Sequence, residues 1–176
     1  MSDTDFKKTH FELFGLQPQF EIDLPRLDQS YRDIQARVHP DRFTHLSDVE
    51  RRVSMQWATR TNEAYQVLKN PLRRADYLLQ LVGIDALAQT NTAMPADFLV
   101  AQMEWREAIS EAQNAGDQNA LIELQTSVDK AAQHLVASLA KLLNDEKNFL
   151  AASDAVRKLK FMEKLQQEIE DAIERG

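Results

Sequence analysis

The sequence has no cysteine, and it has only four glycines and five prolines among its 176 residues. The absence of cysteine excludes a disulfide scaffold, a Cys-ligated zinc or iron–sulfur site, and a thiol nucleophile. Glycine is scarce for phosphate-cradling loops, and neither a G-x-G-x-x-G nor a P-loop motif occurs. The four histidines form no i,i+4 pair of the zinc-binding type. We therefore expect no catalytic residue, no bound metal and no cofactor.

Long apolar runs are also missing, since no stretch of 18 or more apolar residues is present to cross a membrane. Residues 1–5 are acidic and polar, unlike a signal peptide, so we expect a cytoplasmic protein without a membrane partner. The formal net charge of −7 argues against nucleic-acid binding. Residues 1–80 contain 12 Lys/Arg and 12 Asp/Glu, whereas residues 81–176 contain 9 and 16. The two parts are therefore expected to meet different partners.

Apolar residues recur at helical spacing throughout the chain, and no strand pattern competes with them. In the first half the spacing predicts a short helix over 9–16 and a second helix that begins at Asp23. The second helix must stop before Pro40, which disfavours helical backbone in the preceding residue. Ser47 and Glu50 have the spacing of a capping box for a third helix. Its inward face is predicted to comprise Val53, Trp57, Thr61, Ala64 and Leu68. The second and third helices are expected to form an antiparallel hairpin.

Four further helices are predicted by the same periodicity and by end signals. The fourth covers residues 72–82 and stops at Gly83, the fifth runs from Pro95 to residue 115, and Asp117 caps the sixth. Asn144 or Asp145 is predicted to cap the seventh, which runs to about residue 174. Residues 84–94 form the best linker candidate. The spacing in the last three helices favours a three-helix bundle, so the expected fold class is all-α.

The connection between the second and third helices contains the most unusual feature, the tripeptide His39-Pro40-Asp41. A three-residue match by itself is weak, and a simple helix stop is its structural alternative. The surrounding sequence resembles a J-domain, since residues 11–16, 39–41, 64–68 and 71–79 match that family in order and spacing. The resemblance implies an N-terminal J-domain, which we assign to residues 1–83.

The sequence is more closely similar to the HscB family, the J-domain co-chaperones of iron–sulfur cluster assembly, in the bacterial form without a Cys-rich zinc module. That likeness extends to residues 98–99 and 157–165, so residues 95–176 are expected to form a C-terminal client-binding bundle. The resemblance implies that the His39-Pro40-Asp41 loop and the second helix dock on an HscA or DnaK-type ATPase chaperone and speed its ATP hydrolysis. Four arginines are available for that contact: Arg26, Arg32, Arg37 and Arg42. Arg42 replaces the lysine that commonly follows the tripeptide.

A second candidate surface lies on the fifth helix, where Leu99, Val100 and Met103 fall outside the predicted core face. Glu104, Glu107 and Glu111 continue that surface. On the seventh helix Phe161 points about 200° away from the inward Leu159 and is expected to be exposed among lysines. From pattern alone these residues can also be packed in a wider core. The HscB resemblance implies that the same seven positions hold an IscU-type scaffold protein.

Two functional hypotheses follow. In the first, the chain is an adaptor that recruits the ATPase through one domain and delivers the scaffold with the other, which raises the local concentration of the client. In the second, the chain is a purely structural helical interaction protein, and His39-Pro40-Asp41 is a coincidental helix stop. An enzymatic or metal-binding role is a distant third.

Overall fold

The computed structural model describes residues 7–38, 47–88 and 94–175, with Val38 described by its backbone alone. Every regular element in these ranges is helical, which confirms the predicted all-α class. The helices are α1 (His10–Leu13), α2 (Leu24–Val38), α3 (Asp48–Lys69), α4 (Pro71–Leu81), α5 (Ala96–Ala115), α6 (Gln118–Ala140) and α7 (Phe149–Arg175). The chain divides into two compact units after Leu78, within α4.

The first unit has a small core built from α1, α2 and α3. A central cluster of this core comprises the buried Phe11, Phe14, Leu27, Ala64 and Leu68. The helix predicted over 9–16 is shorter than expected, because α1 ends at Leu13. Gly15 then takes a positive φ of 65°, a conformation in which glycine avoids a steric cost and in which a helix cannot continue. This early stop turns the chain toward α2.

Helix α3 begins as the sequence predicts. The Ser47 side chain accepts a hydrogen bond from the Glu50 N–H group, and the Glu50 carboxylate accepts one from the Ser47 N–H group at 3.0 Å. On the inward face the prediction for Val53 was wrong, because Val53 is 40% exposed and Ser54 is buried instead. Val53 and Ser54 lie at similar angles on either side of that face, so helical spacing alone does not choose between them.

The second unit contains α5, α6 and α7, which all pack against one another. Helix α7 contributes most to the core, and the inward face predicted for it is confirmed: Val156, Leu159, Met162 and Ile169 are buried. Gly116 ends α5 with a φ of 65°, and the Asp117 carboxylate accepts from the Ala120 N–H group at 3.0 Å to cap α6. The three-helix bundle is thus set by local end signals and by one apolar face on each helix.

The connection from α6 to α7 differs from the prediction. Asn144 and Asp145 do not cap α7, because both belong to a π-helical turn, Lys141–Asp145, that extends α6. The chain then turns at Lys147, which has a φ of 49°. The cap of α7 is Asn148, whose Oδ1 accepts from the Ala151 N–H group at 3.2 Å. The wide turn moves the start of α7 past both predicted caps.

Candidate protein-binding sites

The first candidate site lies between α2 and α3. His39, Pro40, Asp41 and Arg42 fall in residues 39–46, outside the described residues, so their predicted role stays a prediction. The helices on either side are described, since α2 ends at Val38 and α3 begins after Ser47. The structure therefore describes the two helices that flank residues 39–46 and not those residues themselves.

A polar and aromatic cluster joins the second half of α2 to the second half of α3. The Tyr31 hydroxyl donates a hydrogen bond to Asn62 Oδ1 at 2.6 Å, and Gln35 Nε2 donates to the same oxygen at 2.7 Å. The rings of Tyr31 and Tyr65 stack with their centroids 4.0 Å apart. One carbonyl oxygen thus accepts from two side chains on the opposite helix, which restricts the sliding of α2 along α3.

Farther from residues 39–46, an ion pair joins the same helices. Lys69 Nζ lies 2.7 Å from Asp28 Oδ1, and the Tyr65 hydroxyl donates to that oxygen at 3.0 Å. The hydrogen bonds from Lys69 and Tyr65 lower the pKa of Asp28, and the bond to Asp28 raises the pKa of Lys69. Residues later in α2 meet residues earlier in α3, so the two helices are antiparallel.

The arginines of α2 do not form one basic face. Arg26, Arg32 and Arg37 are all exposed, but their spacing places Arg37 about 20° from Arg26, and Arg32 about 120° from Arg26 and 140° from Arg37. Arg26 is also tied to the loop after α1, since its Nη2 donates to the Gly15 carbonyl oxygen at 3.0 Å. Arg32 Nη2 donates to Gln29 Oε1 at 2.8 Å. Arg26 and Arg37 therefore share one side of the helix, and Arg32 lies on another.

The second candidate site is on α5. Leu99, Val100 and Met103, which we name the α5 patch, are 46%, 56% and 72% exposed. Their spacing spreads them over about 100° of the helix circumference. The exposed Glu104, Glu107 and Glu111, the acidic edge, continue the same surface on the side away from Leu99. An apolar group with carboxylates along one side suits a protein partner with apolar anchors and basic side chains.

Phe161 is not placed as the sequence predicted. Its side chain is half-buried and not fully exposed. Its ring meets the ring of Phe98 edge-on, with centroids 5.7 Å apart, and the Arg106 guanidinium lies 5.5 Å from its centroid. Phe98 in turn contacts Trp105. Phe161 therefore joins an aromatic cluster between α5 and α7, because the ring reaches the seam between those helices.

Two cations beside this cluster make contacts that were not predicted from the sequence. Lys158 Nζ lies 5.3 Å from the Phe98 centroid, and Arg106 covers Phe161. Arg106 is the only basic residue of α5, and it follows Leu99 by seven positions, which is a signal that helical periodicity supplies. The contact with Phe161 has no such signal, since it joins two helices distant in sequence.

Two features of other function classes are absent from the part of the chain that the structure describes. In those residues no three His, Asp or Glu side chains come close enough together to bind a metal ion. No helix among them combines the length and the apolar composition needed to cross a bilayer.

Comparisons with known proteins agree over nearly the whole chain. A family model described as the HSCB C-terminal oligomerisation domain matches residues 94–170. The co-chaperone protein HscB homolog of Ralstonia nicotianae is 52% identical over 167 residues, 95% of each chain. That of Aromatoleum aromaticum is 48% identical over 170 residues, 97% of this chain and 96% of the relative.

Solved structures show the same likeness. The chaperone HscB from Vibrio cholerae is 40% identical, has a TM-score of 0.84, and is matched over 96% of this chain and 99% of that one. The human co-chaperone protein HscB is 27% identical with a TM-score of 0.87, over 93% of this chain and 81% of that one. Fold and sequence therefore point to one family.

Proposed function

The chain belongs to the HscB family of J-domain co-chaperones of iron–sulfur cluster assembly, and from this premise we propose that it couples an ATPase chaperone to a scaffold protein. Members of this family are co-chaperones and not enzymes. In the proposal, the His39-Pro40-Asp41 segment stimulates the ATPase of an HscA or DnaK-type chaperone. The C-terminal bundle delivers an IscU-type scaffold. We also propose that it acts in the cytoplasm, without a nucleic-acid or membrane partner.

Within this proposal, residues 1–83 are the J-domain, residues 84–94 the linker and residues 95–176 the client-binding bundle. The division of the structure after Leu78 and the family match that begins at residue 94 support this organisation. The helices that flank His39-Pro40-Asp41 are fixed in register by Asn62 and by the Asp28–Lys69 pair. A braced hairpin suits a docking segment, because less order has to be imposed on the flanking backbone when the partner binds.

The α5 patch is the observation that carries the client half of the proposal. Three large apolar side chains face solvent in a helix that already buries Phe98, Ile109 and Ala112 on another face. A second apolar face is not needed for the fold, whereas adjacent exposed apolar residues are typical of a protein-binding surface. We propose that the scaffold covers this patch and that its basic groups face the acidic edge.

The experiment that tests the chaperone half is single-turnover ATP hydrolysis by an HscA-type chaperone with and without this chain. Wild type is expected to accelerate hydrolysis, and His39→Gln to abolish the acceleration while scaffold binding and thermal stability stay unchanged. His134→Gln, an exposed position on α6, is the matched control and should stimulate like wild type. Normal stimulation by His39→Gln would reject the role of the tripeptide. No stimulation by wild type would favour a purely structural interaction protein.

A further inference from the structure

Arg106 lies between the α5 patch and α7. Helical geometry places it about 20° from Leu99 and about 60° from Met103 around α5. Its guanidinium reaches across to α7, where it covers the ring of Phe161 and lies 3.8 Å from Glu168 Oε1. Arg106 thus lies between the α5 patch and the Phe161 ring of α7, which the sequence analysis placed on the same surface.

The contacts of Arg106 are loose, and its side chain is 58% exposed. The 3.8 Å distance to Glu168 is too long for a hydrogen bond, and an exposed ion pair of this kind contributes little to stability. The pair with Glu168 therefore contributes little to the stability of the bundle. The planar cation of Arg106 remains available to a partner while it lies against the Phe161 ring.

The charges around the α5 patch are divided by side. The acidic edge lies about 100–160° away from Arg106 around the helix, so the carboxylates border the patch on one side and the guanidinium borders it on the other. Lys158, over the ring of Phe98, adds a second cation on the α7 side. The surface therefore has an apolar centre, an acidic edge on one side, and on the other side Arg106 and Lys158, with the Glu168 carboxylate beside Arg106.

We propose that Arg106 is a further recognition residue of this surface, which orients the Phe161 ring and binds a carboxylate that the scaffold carries beside its apolar anchors. The inference rests on the proposed client-binding function and adds to it a rule for orientation. A partner that carries basic groups on one side and an acidic group on the other fits in one orientation, since the reversed placement opposes like charges. A guanidinium suits this role because it binds a carboxylate with two parallel hydrogen bonds.

The test measures binding of an IscU-type scaffold by titration calorimetry with the full chain and four variants. Arg106→Gln is expected to weaken binding by about threefold to fivefold, the upper part of the range for one exposed ion pair with a carboxylate of the scaffold. Arg106→Glu should weaken it by about tenfold or more, because it adds repulsion to that loss. Arg106→Lys should recover most of the affinity, since it keeps the charge. Lys160→Gln is the matched control, because Lys160 is an exposed cation of α7 whose Nζ pairs with Glu163 at 3.3 Å.

Thermal unfolding of the same variants separates recognition from packing, and all midpoints should lie close to that of wild type. The inference is overturned if Arg106→Gln binds the scaffold like wild type. It is also overturned if this variant binds more tightly, because Arg106 would then only cover the Phe161 ring and keep the scaffold from it. It is also overturned if Lys160→Gln weakens binding as much as Arg106→Gln, because the effect would then be one of net charge. A wild-type chain that does not bind the scaffold overturns the proposed function and the inference together. Binding by wild type with no effect at Arg106 overturns the inference alone.

Discussion

Removal of the apolar side chains of the α5 patch should weaken scaffold binding without loss of stability. The variant is Leu99→Ala with Met103→Ala, because alanine keeps the helix propensity of α5 and leaves the acidic edge intact. Phe161 is not changed with them. Its ring packs against Phe98, so its loss would lower stability and binding together and the two effects could not be separated.

The expected magnitude follows from how much of each side chain is still in water. Leu99 is 46% and Met103 72% exposed. Full burial of a leucine or methionine side chain contributes about 1.5–3 kcal/mol, so the exposed parts offer about 2 kcal/mol together once the remaining Cβ atoms are subtracted. That corresponds to roughly a 30-fold increase in the scaffold Kd. The free energy of unfolding should change by less than about 0.5 kcal/mol for each substitution, the range usual for surface positions, because 46% of Leu99 and 72% of Met103 is already in contact with water.

The assay is titration calorimetry with the scaffold, accompanied by thermal unfolding of each variant. Ile122→Ala with Leu150→Ala is the matched control, because these side chains are 50% and 80% exposed on α6 and α7 of the same unit. The control should bind like wild type. A Kd within twofold of wild type for the patch variant would refute the reasoning, and so would equal losses in patch and control variants. A drop of the midpoint by more than about 4 °C would show that the patch side chains support the core.

Two further predictions concern stability alone. Lys147→Gly should stabilise the second unit by about 1 kcal/mol, because Lys147 has a positive φ of 49° that costs a non-glycine residue this much. Lys141→Gly, at a helical φ of −64°, should instead destabilise it by about 1 kcal/mol in the same urea unfolding experiment, and equal effects would contradict the argument. Asp28→Asn should have a lower melting temperature than wild type at every pH from about 5 to 9. The reason is that the Asp28 pKa lies below its ordinary value of 3.8, so the ion pair stabilises the fold only at a pH above that value. The difference from wild type should close as the pH falls through the folded-state pKa, and a difference that does not shrink as the solution is acidified would refute the role of the ion pair.

Local end signals were the part of the fold that could be predicted best from the sequence. The capping box at Ser47, the cap at Asp117 and the stop at Gly116 all depend on residues within one turn of the helix end. The start of α7 could not be predicted in this way. A π-helical turn and the backbone of Lys147 decide it, and neither has a composition signal.

For the candidate sites, the sequence could not predict contacts between helices that are distant from each other along the chain. The periodicity of α5 separates its buried face from the α5 patch, because both lie on one helix. The half-buried state of Phe161 could not be derived from α7 alone, since it depends on Phe98 and Arg106 across the seam. Similarly, the pairing of Tyr31 and Gln35 with Asn62 joins residues 27 and more positions apart.

The attachment of α2 to α3 through Asn62 has a consequence for how this protein can evolve. Gln35 and Asn62 are 27 positions apart, and the entropy of closing such a stretch of chain grows only with the logarithm of its length. Even a doubling adds about 0.6 kcal/mol. Lengthening of the chain between Val38 and Ser47 therefore costs the pairing of α2 with α3 little in chain entropy, whereas substitutions of Trp57 and Thr61 in the same interval remain costly, because both side chains are buried.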